Sequence, residues 1–468
     1  VTVEMLVRPL IRVRYALRNA ASASKTRLDE WAESPSTSYS PLDFLVVHPK
    51  IRWGGDSPSA LRDPKYSLEE AETLVTSIPS YRVANSVIVG TDYNTKKALI
   101  WGEGRLHELV ALKEKSRATA LMLNVERLTP LQQSELYSVF HCPIFDRFTL
   151  VLSLFSLFAR DEVARLQIAL ARIPYLRRRL NRLHHPHEIN ASNVFLPGLQ
   201  WTETEWNEEE LRMREQYLRK RLKEALEKDE REREHANVIG RSKVAVVGYT
   251  NAGKTSLIKS LTGLSSLRPL NRLFATLNTT EYSARLPNGR QISIADTIGF
   301  MYDLPLDLLA AFEATLAHVV KSDVVIHVRD VSNPDWKAQN EEVNKTLGRL
   351  GMNEEMRSEV IVLDNKIDKG GESKDKKALR ISCRTGEGMK ELVERLNERV
   401  RIVSGCKRRI LTLPFNSPSI QWLYREGLVV EEPESTETHL KFRVDMTDEE
   451  MERMKSNLKI VKQKTQTA

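Results

Sequence analysis

The sequence predicts an α/β protein of several domains, on three observations. Its 468 residues exceed one ordinary domain; at about 100–200 residues per domain, two to four are expected. Short apolar runs alternate with helical patterns in two separate zones, the mark of mainly parallel sheets. Between those zones lies a highly charged stretch with one narrow apolar stripe, the mark of two helices packed side by side. Hydrophobic residues make up 41% and aromatic residues 7%, enough to build real cores. Charged residues reach 29%, and no uninterrupted apolar run approaches the roughly 18 residues of a membrane-spanning helix. Three cysteines, Cys142, Cys383 and Cys406, exclude a disulfide scaffold and an all-cysteine zinc site. The 71 Lys+Arg against 63 Asp+Glu leave a net charge of +8, compatible with a nucleic-acid partner without requiring one.

Residues 5–28 hold six cations, Arg8, Arg12, Arg14, Arg18, Lys25 and Arg27, and no acid. An arginine-rich, serine-rich, acid-poor segment fits a mitochondrial presequence, which places the protein in the matrix; an ordinary basic tail is the alternative. Residues 1–40 are therefore set apart from the folded domains.

The N-terminal α/β domain is expected over 42–146. Strand-like runs lie at 43–48, 86–90, 98–101 and 119–125, with helical patterns at 67–77, 104–115 and 131–139. Residues 147–240 are expected to form a helical hairpin. Leu166, Leu170 and Ile173 on one arm and Leu211, Leu218, Leu222, Ala225 and Leu226 on the other supply its seam. From Val163 to His187 there is no acid, yet Arg165, Arg172, Arg177, Arg178, Arg179 and Arg182 occur. Arginine offers a planar fork of donors that suits phosphate, so Arg172, Arg177, Arg178, Arg179 and Arg182 are candidate RNA contacts. A solvated or lipid-facing patch is the alternative.

The second α/β zone, 241–404, carries the chemistry. An apolar strand at Val244–Val247 runs into Gly248, Tyr249, Thr250, Asn251, Ala252, Gly253, Lys254, Thr255 and Ser256. This is G-x-x-x-x-G-K-[ST] between a strand and a helix, the context a phosphate-binding loop requires. Glycines let successive backbone N–H groups point at one phosphate, and the helix N-terminus adds partial positive charge. Lys254 is expected to reach the outer phosphates and Thr255 to ligate Mg²⁺. Asp296, Thr297, Ile298 and Gly299 spell DxxG, whose acid holds a water of the metal and whose glycine N–H meets the γ-phosphate. Upstream, the LFATLNTT tract offers Thr276, Thr279 or Thr280 as a switch threonine. After the strand at 359–363, Asn365, Lys366, Ile367 and Asp368 spell NKxD. A carboxylate there accepts from guanine N1 and N2, donors that adenine lacks, so GTP and GDP are the expected ligands. Ser382, Cys383 and Arg384 can offer backbone N–H groups to the guanine O6. Residues 408–462 are expected to form a small α+β domain.

These motifs together resemble the HflX family of GTPases, in particular its mitochondrial branch. The resemblance rests on GYTNAGKT, LFATLNTT, DTIGFMYDLP, NKID and the upstream FDRFTLVLSLFSLFARDEVARLQIALA, with LNVERL and HVRDVS pointing to the branch. It implies a P-loop GTPase domain, GTP hydrolysis, and binding to the large ribosomal subunit and its rRNA, in recycling or late assembly. The alternative is an RNA-binding assembly or anti-association factor in which nucleotide only orders a docking surface. The resemblance further implies that Thr276 completes the Mg²⁺ shell with Thr255, and that Phe274, Ala275, Leu277 and Asn278 flank the nucleotide with it. It makes Lys254, Asp296, Gly299 and Asn251 the catalytic set, with Asn251 supporting a K⁺ ion. A monomer is expected. Phe300 stands where Ras-type GTPases carry a water-orienting glutamine, and Cys383 where an alanine is usual. The hairpin loop lacks the family's glycine-rich sequence.

Overall fold

A computed structural model describes residues 41–51, 63–91, 100–159, 161–183, 208–236, 242–267, 273, 280–287, 290–302, 308, 316, 319–371, 375–426 and 428–455. The chain divides into two compact units, residues 1–232 with 303–312 and residues 233–302 with 313–468.

In the first unit, β1 (Leu42–Ile51), β2 (Tyr81–Thr91), β3 (Ala120–Leu123) and β4 (Ile144–Phe145) form a parallel sheet of order β2-β1-β3-β4. Helices α1 (Pro64–Thr76), α2 (Glu103–Ser116) and α3 (Pro130–Phe140) connect them. Local chemistry sets these helix starts. Asp63 accepts from the Lys65 N–H ahead of Pro64, and Thr129 with Gln132 closes a capping box ahead of Pro130, so N–H groups left over at each first turn find acceptors. Phe44, Val46, Leu121 and Leu123 are fully buried, at roughly 1.5–3 kcal/mol for each large side chain removed from water. The run at 98–101 is not a strand where it is described: Ile100 and Trp101 lie in a bend, buried against Leu106 and Leu109 of α2. Their apolarity reports burial in the core, which periodicity cannot distinguish from a buried strand.

Where the hairpin is expected to begin at residue 147, the chain forms two helices in succession, α4 (Arg147–Phe158) and α5 (Glu162–Leu183). α4 opens on a capping box of Asp146 and Thr149. The hairpin pairs α5 with α6 (Glu208–Ala236) along Leu166, Ala169, Ile173 and Leu218, with Leu170, Leu222 and Ala225 half-buried beside them. Arg177 reaches Glu208 at 2.6 Å and Glu215 at 2.9 Å, and Arg221 pairs with Glu162, tying the two arms together.

The second unit holds a six-stranded sheet of order β10-β9-β8-β5-β7-β6. Its strands are β5 (Ser242–Gly248), β6 (Thr280–Arg285), β7 (Gln291–Asp296), β8 (Val324–Asp330), β9 (Ile361–Asn365) and β10 (Leu379–Arg380). All ladders are parallel except β6–β7. Around it lie α7 (Lys254–Thr262), α8 (Trp336–Arg349), α9 (Glu354–Ser358) and α10 (Met389–Val403). The core joins Val244, Val246, Ile294, Ile326, Val328 and Leu363 to Leu257, Leu392 and Leu396. A smaller antiparallel sheet follows, of order β11-β13-β12, from β11 (Lys407–Pro414), β12 (Glu434–Ser435) and β13 (His439–Met446). It packs with α11 (Pro418–Arg425) and a helical stretch at 448–455 over Leu423, Phe442, Val444 and Met451. Among the described residues no helix is long and apolar enough to cross a membrane.

Candidate functional site

Topology alone gathers three of the sequence motifs. The P-loop follows β5, DxxG follows β7 and NKxD follows β9, all parallel neighbours or next neighbours. Their loops therefore leave one edge of the sheet, the carboxyl end where ligands of open α/β sheets bind.

Steric closeness explains the glycines. Gly248 has φ +154° and a Cβ there would lie 2.3 Å from the Val328 carbonyl oxygen; Gly253 has φ +103° and its Cβ would lie 2.2 Å from Asn365 Nδ2. That amide donates to the Ala252 carbonyl at 2.9 Å, while Asn365 Oδ1 accepts from the Cys383 N–H at 3.2 Å. Asn365 thus braces the P-loop with one end of its amide and the Ser382–Cys383–Arg384 segment with the other. Lys366, at φ +65°, donates from Nζ to the Asn251 carbonyl at 2.8 Å and to Asp330 at 2.7 Å. Asp368 accepts from the Ser382 hydroxyl at 2.7 Å, an anchor that orients the carboxylate. Ile367 and Asp368 lie in a short 3-10 turn.

DxxG packs directly on the P-loop. The Thr250 N–H donates to the Phe300 carbonyl at 2.7 Å and the Phe300 N–H to Gly248 at 3.1 Å. The Tyr249 hydroxyl accepts from the Tyr302 N–H at 3.0 Å. A Cβ on Gly299 would meet Thr250 Cγ2 at 2.8 Å and Lys254 Nζ at 3.0 Å. Thr297 is buried and donates to the Val246 carbonyl at 2.7 Å, and Ile298 is buried beside it. The Thr255 hydroxyl donates to Asp296 Oδ2 at 2.8 Å, while Ser256 continues α7. Lys254 is buried; its Nζ donates to the carbonyls of Gly248 and Tyr249 at 3.2 and 3.0 Å. Burial pushes its pKa down to about 8, against the pull of Asp296 in the other direction.

The donor set fits a magnesium nucleotide. A hydroxyl and a carboxylate 2.8 Å apart offer hard oxygens to Mg²⁺, and the buried Thr250 hydroxyl has no hydrogen-bond partner among the described residues. Only glycine fits at 253 and 299, where a Cβ would strike Asn365 or Thr250, so the loops can approach one another as closely as a phosphate cradle requires.

A family model described as "50S ribosome-binding GTPase" matches residues 243–366, and one described as "GTP-binding GTPase N-terminal" matches residues 65–156. "Putative GTP-binding protein 6" of Xenopus laevis is 36% identical over 397 residues, covering 83% of this chain and 74% of the relative. "GTPase HflX" of Caldanaerobacter subterraneus is 31% identical over 440 residues, covering 89% of this chain and 98% of the relative.

The chain belongs to the HflX family of GTPases.

It is accordingly a GTPase, with guanine nucleotide as its ligand. A crystal structure of a GTP-binding protein from Sulfolobus solfataricus with GDP aligns over 77% of this chain and 100% of that one, at 21% identity and a TM-score of 0.41. Of the residues expected to serve this HflX-family site, Phe274, Ala275, Thr276, Leu277 and Asn278 lie outside the described residues, as does Thr279; Thr280 begins β6. Phe300 is buried and its backbone bridges to Tyr249.

The arginine set needs correction. Arg172 is buried, 5% exposed, and donates to the Ser156 hydroxyl of α4 at 2.6 Å. It ties α5 to α4 and, being buried, is not placed to meet a phosphate. Arg177 already holds two glutamates across the hairpin. Arg178 is exposed. Arg179 and Arg182 continue α5, with side chains outside the described set. Sequence reasoning missed Arg329, Asp330 and Arg290, because a charged residue in a strand or hairpin turn carries no signal until its partner is known.

Proposed function

We propose that this HflX-family GTPase acts on the mitochondrial large ribosomal subunit, in splitting or late assembly, and docks in a state set by its nucleotide. The likeness of residues 243–366 to a ribosome-binding GTPase model supports the ribosome as target. The acid-free, six-cation segment at 5–28 supports delivery to the matrix; it lies outside the described residues. Arg178, with Arg179 and Arg182 further along α5, supports rRNA contact at the hairpin end.

Within the site, Gly248–Ser256 receive the phosphates on backbone N–H groups and Lys254. Thr255, Thr276 and Asp296 are the residues that would hold Mg²⁺, which would supply positive charge against the phosphate oxygens. Asp368 reads guanine N1 and N2, Lys366 covers the base, and Ser382, Cys383 and Arg384 close over O6. Gly299 senses the γ-phosphate, and its release on hydrolysis frees the segment beyond. Asn251 would hold a K⁺ ion, which would supply positive charge where the γ-phosphate leaves; equal turnover in NaCl and KCl contradicts this. Phe300 after DxxG cannot orient the attacking water as a glutamine would, so another group or the ribosome completes the site and basal turnover is slow.

The observation that carries the ribosomal reading is the match of residues 243–366 to a ribosome-binding GTPase model; the double anchoring of Asn365 supports the nucleotide site within it. Lys254→Ala and Asp296→Ala test the function. Both should abolish GTP hydrolysis together with nucleotide-dependent subunit separation or assembly. If hydrolysis is lost while ribosomal activity persists, the protein is instead a binding factor whose nucleotide merely orders the docking surface.

A further inference from the structure

The HVRDVS tract forms the end of β8 and the turn after it. Parallel register sets Arg329 opposite Asp364 and Asp330 opposite Asn365. Successive strand residues project to opposite faces, so the two charges leave β8 in opposite directions. Arg329 donates from Nε to Asp364 at 2.8 Å and from Nη1 to Asp375 at 3.2 Å, with its guanidinium 5.2 Å from the Trp336 ring centroid. Asp330 accepts from Lys366 Nζ at 2.7 Å. The residues on either side of Asn365 are therefore each gripped by an oppositely charged residue of β8.

The Asp330 grip is the one that bears on recognition. Lys366 sits at φ +65°, a strained region for an ordinary side chain that persists only where the surroundings enforce it. Its ammonium is shared between Asp330 and the Asn251 carbonyl. Asp330 is itself fixed: its other oxygen accepts from the Ser332 N–H at 3.1 Å and the Ser332 hydroxyl at 2.5 Å. The lysine and aspartate side chains are only 20% and 14% exposed, so solvent screens the pair weakly. One charge-assisted contact thus joins β8, the P-loop and the turn that carries Asp368.

We propose that Asp330 is a positioning residue for guanine nucleotide, acting through Lys366 to hold the Asn365–Asp368 turn against the P-loop. The assignment rests on the reading of Asn365–Asp368 as the guanine site. It also predicts a division of labour: Asp368 sets which base is chosen, and Asp330 sets how long the chosen nucleotide stays.

Stopped-flow release of fluorescent GDP from the full chain tests this, with Asp330→Ala, Asp330→Asn, Lys366→Ala and the double alanine variant. Loss of a charge-assisted bond should speed release by Asp330→Ala about tenfold, while association changes less than about twofold. Asp330→Asn keeps an acceptor and should recover much of the loss. The double variant should release no faster than Lys366→Ala, because both act through one contact. Release from Asp330→Ala within about twofold of the unsubstituted chain overturns the proposal, as does a double variant whose losses multiply. Asp368→Asn with guanine and xanthine nucleotides separates the two levels. If the unsubstituted chain prefers guanine and Asp368→Asn shifts it toward xanthine, a silent Asp330 sinks the positioning role alone. Without any guanine preference, the site reading fails and takes the proposal with it.

Discussion

Asn365 shows how much one side chain can connect. Because Gly253 leaves it no Cβ to strike, its amide bonds the P-loop; an alanine there would put carbon 2.2 Å from Nδ2, at φ +103°. Gly253→Ala should therefore lower guanine-nucleotide affinity at least about tenfold, read by calorimetry, by combining backbone strain with a broken brace. Lys254 makes a pH prediction. Its value of about 8 lies below the ordinary 10.5, so an arriving phosphate favours the charged form and raises it. Nucleotide uptake should then draw in protons at about pH 8.5, and affinity should fall as pH rises above 8. Equal binding heats in buffers of different ionisation enthalpy contradict this. The P-loop, DxxG and NKxD residues were legible in the sequence because close backbone approach, helix-end charge and guanine's donors each demand fixed residue types at fixed spacing. Arg172 was misread because a helical arginine looks alike whether it faces solvent or, as here, the Ser156 hydroxyl. The bonds from Lys254 to the carbonyls of Gly248 and Tyr249 were not legible, since the motif fixes residue types and not side-chain partners.

At the scale of elements, the hairpin and the β6–β7 ribbon hold most of the information. Apolar spacing alone located the α5–α6 seam, where Leu218 is fully buried against Leu166 and Ile173. Leu218→Ala should destabilise the hairpin by about 2–4 kcal/mol, visible as faster amide exchange in α5 and α6; unchanged exchange contradicts it. The break between α4 and α5 was not legible, because Ala159 and Asp161 are compatible with a helix and the turn depends on packing. β6 and β7 connect the switch region to the small C-terminal sheet: Asp296 ends β7, and Arg290 just before it is buried, donating to Glu450 at 2.9 Å and to the Asp445 carbonyl at 3.4 Å. Arg290→Ala leaves those acceptors short of a donor and should cost about 1–3 kcal/mol, read as an earlier denaturant midpoint for β11–β13. An unchanged midpoint would show that apolar packing alone secures that sheet.

Across the whole molecule, the relevant quantity is charge. The net charge of +8 is compatible with a polyanionic partner; binding through Lys and Arg contacts to phosphate falls steeply as salt rises, whereas the buried guanine-site contacts are screened far less. Ribosome affinity and nucleotide affinity should therefore separate on a salt titration. The parallel sheets of both units were legible from alternating strand and helix patterns; the pairing of Arg329 with Asp364 was not, because strand register is a property of the assembled sheet. Sedimentation of the purified protein with mitochondrial large ribosomal subunits tests the central claim most directly, comparing a non-hydrolysable GTP analogue with GDP. Co-migration with the subunit in the analogue and its loss in GDP is the predicted result; equal association in both, or none in either, contradicts a nucleotide-controlled ribosomal factor.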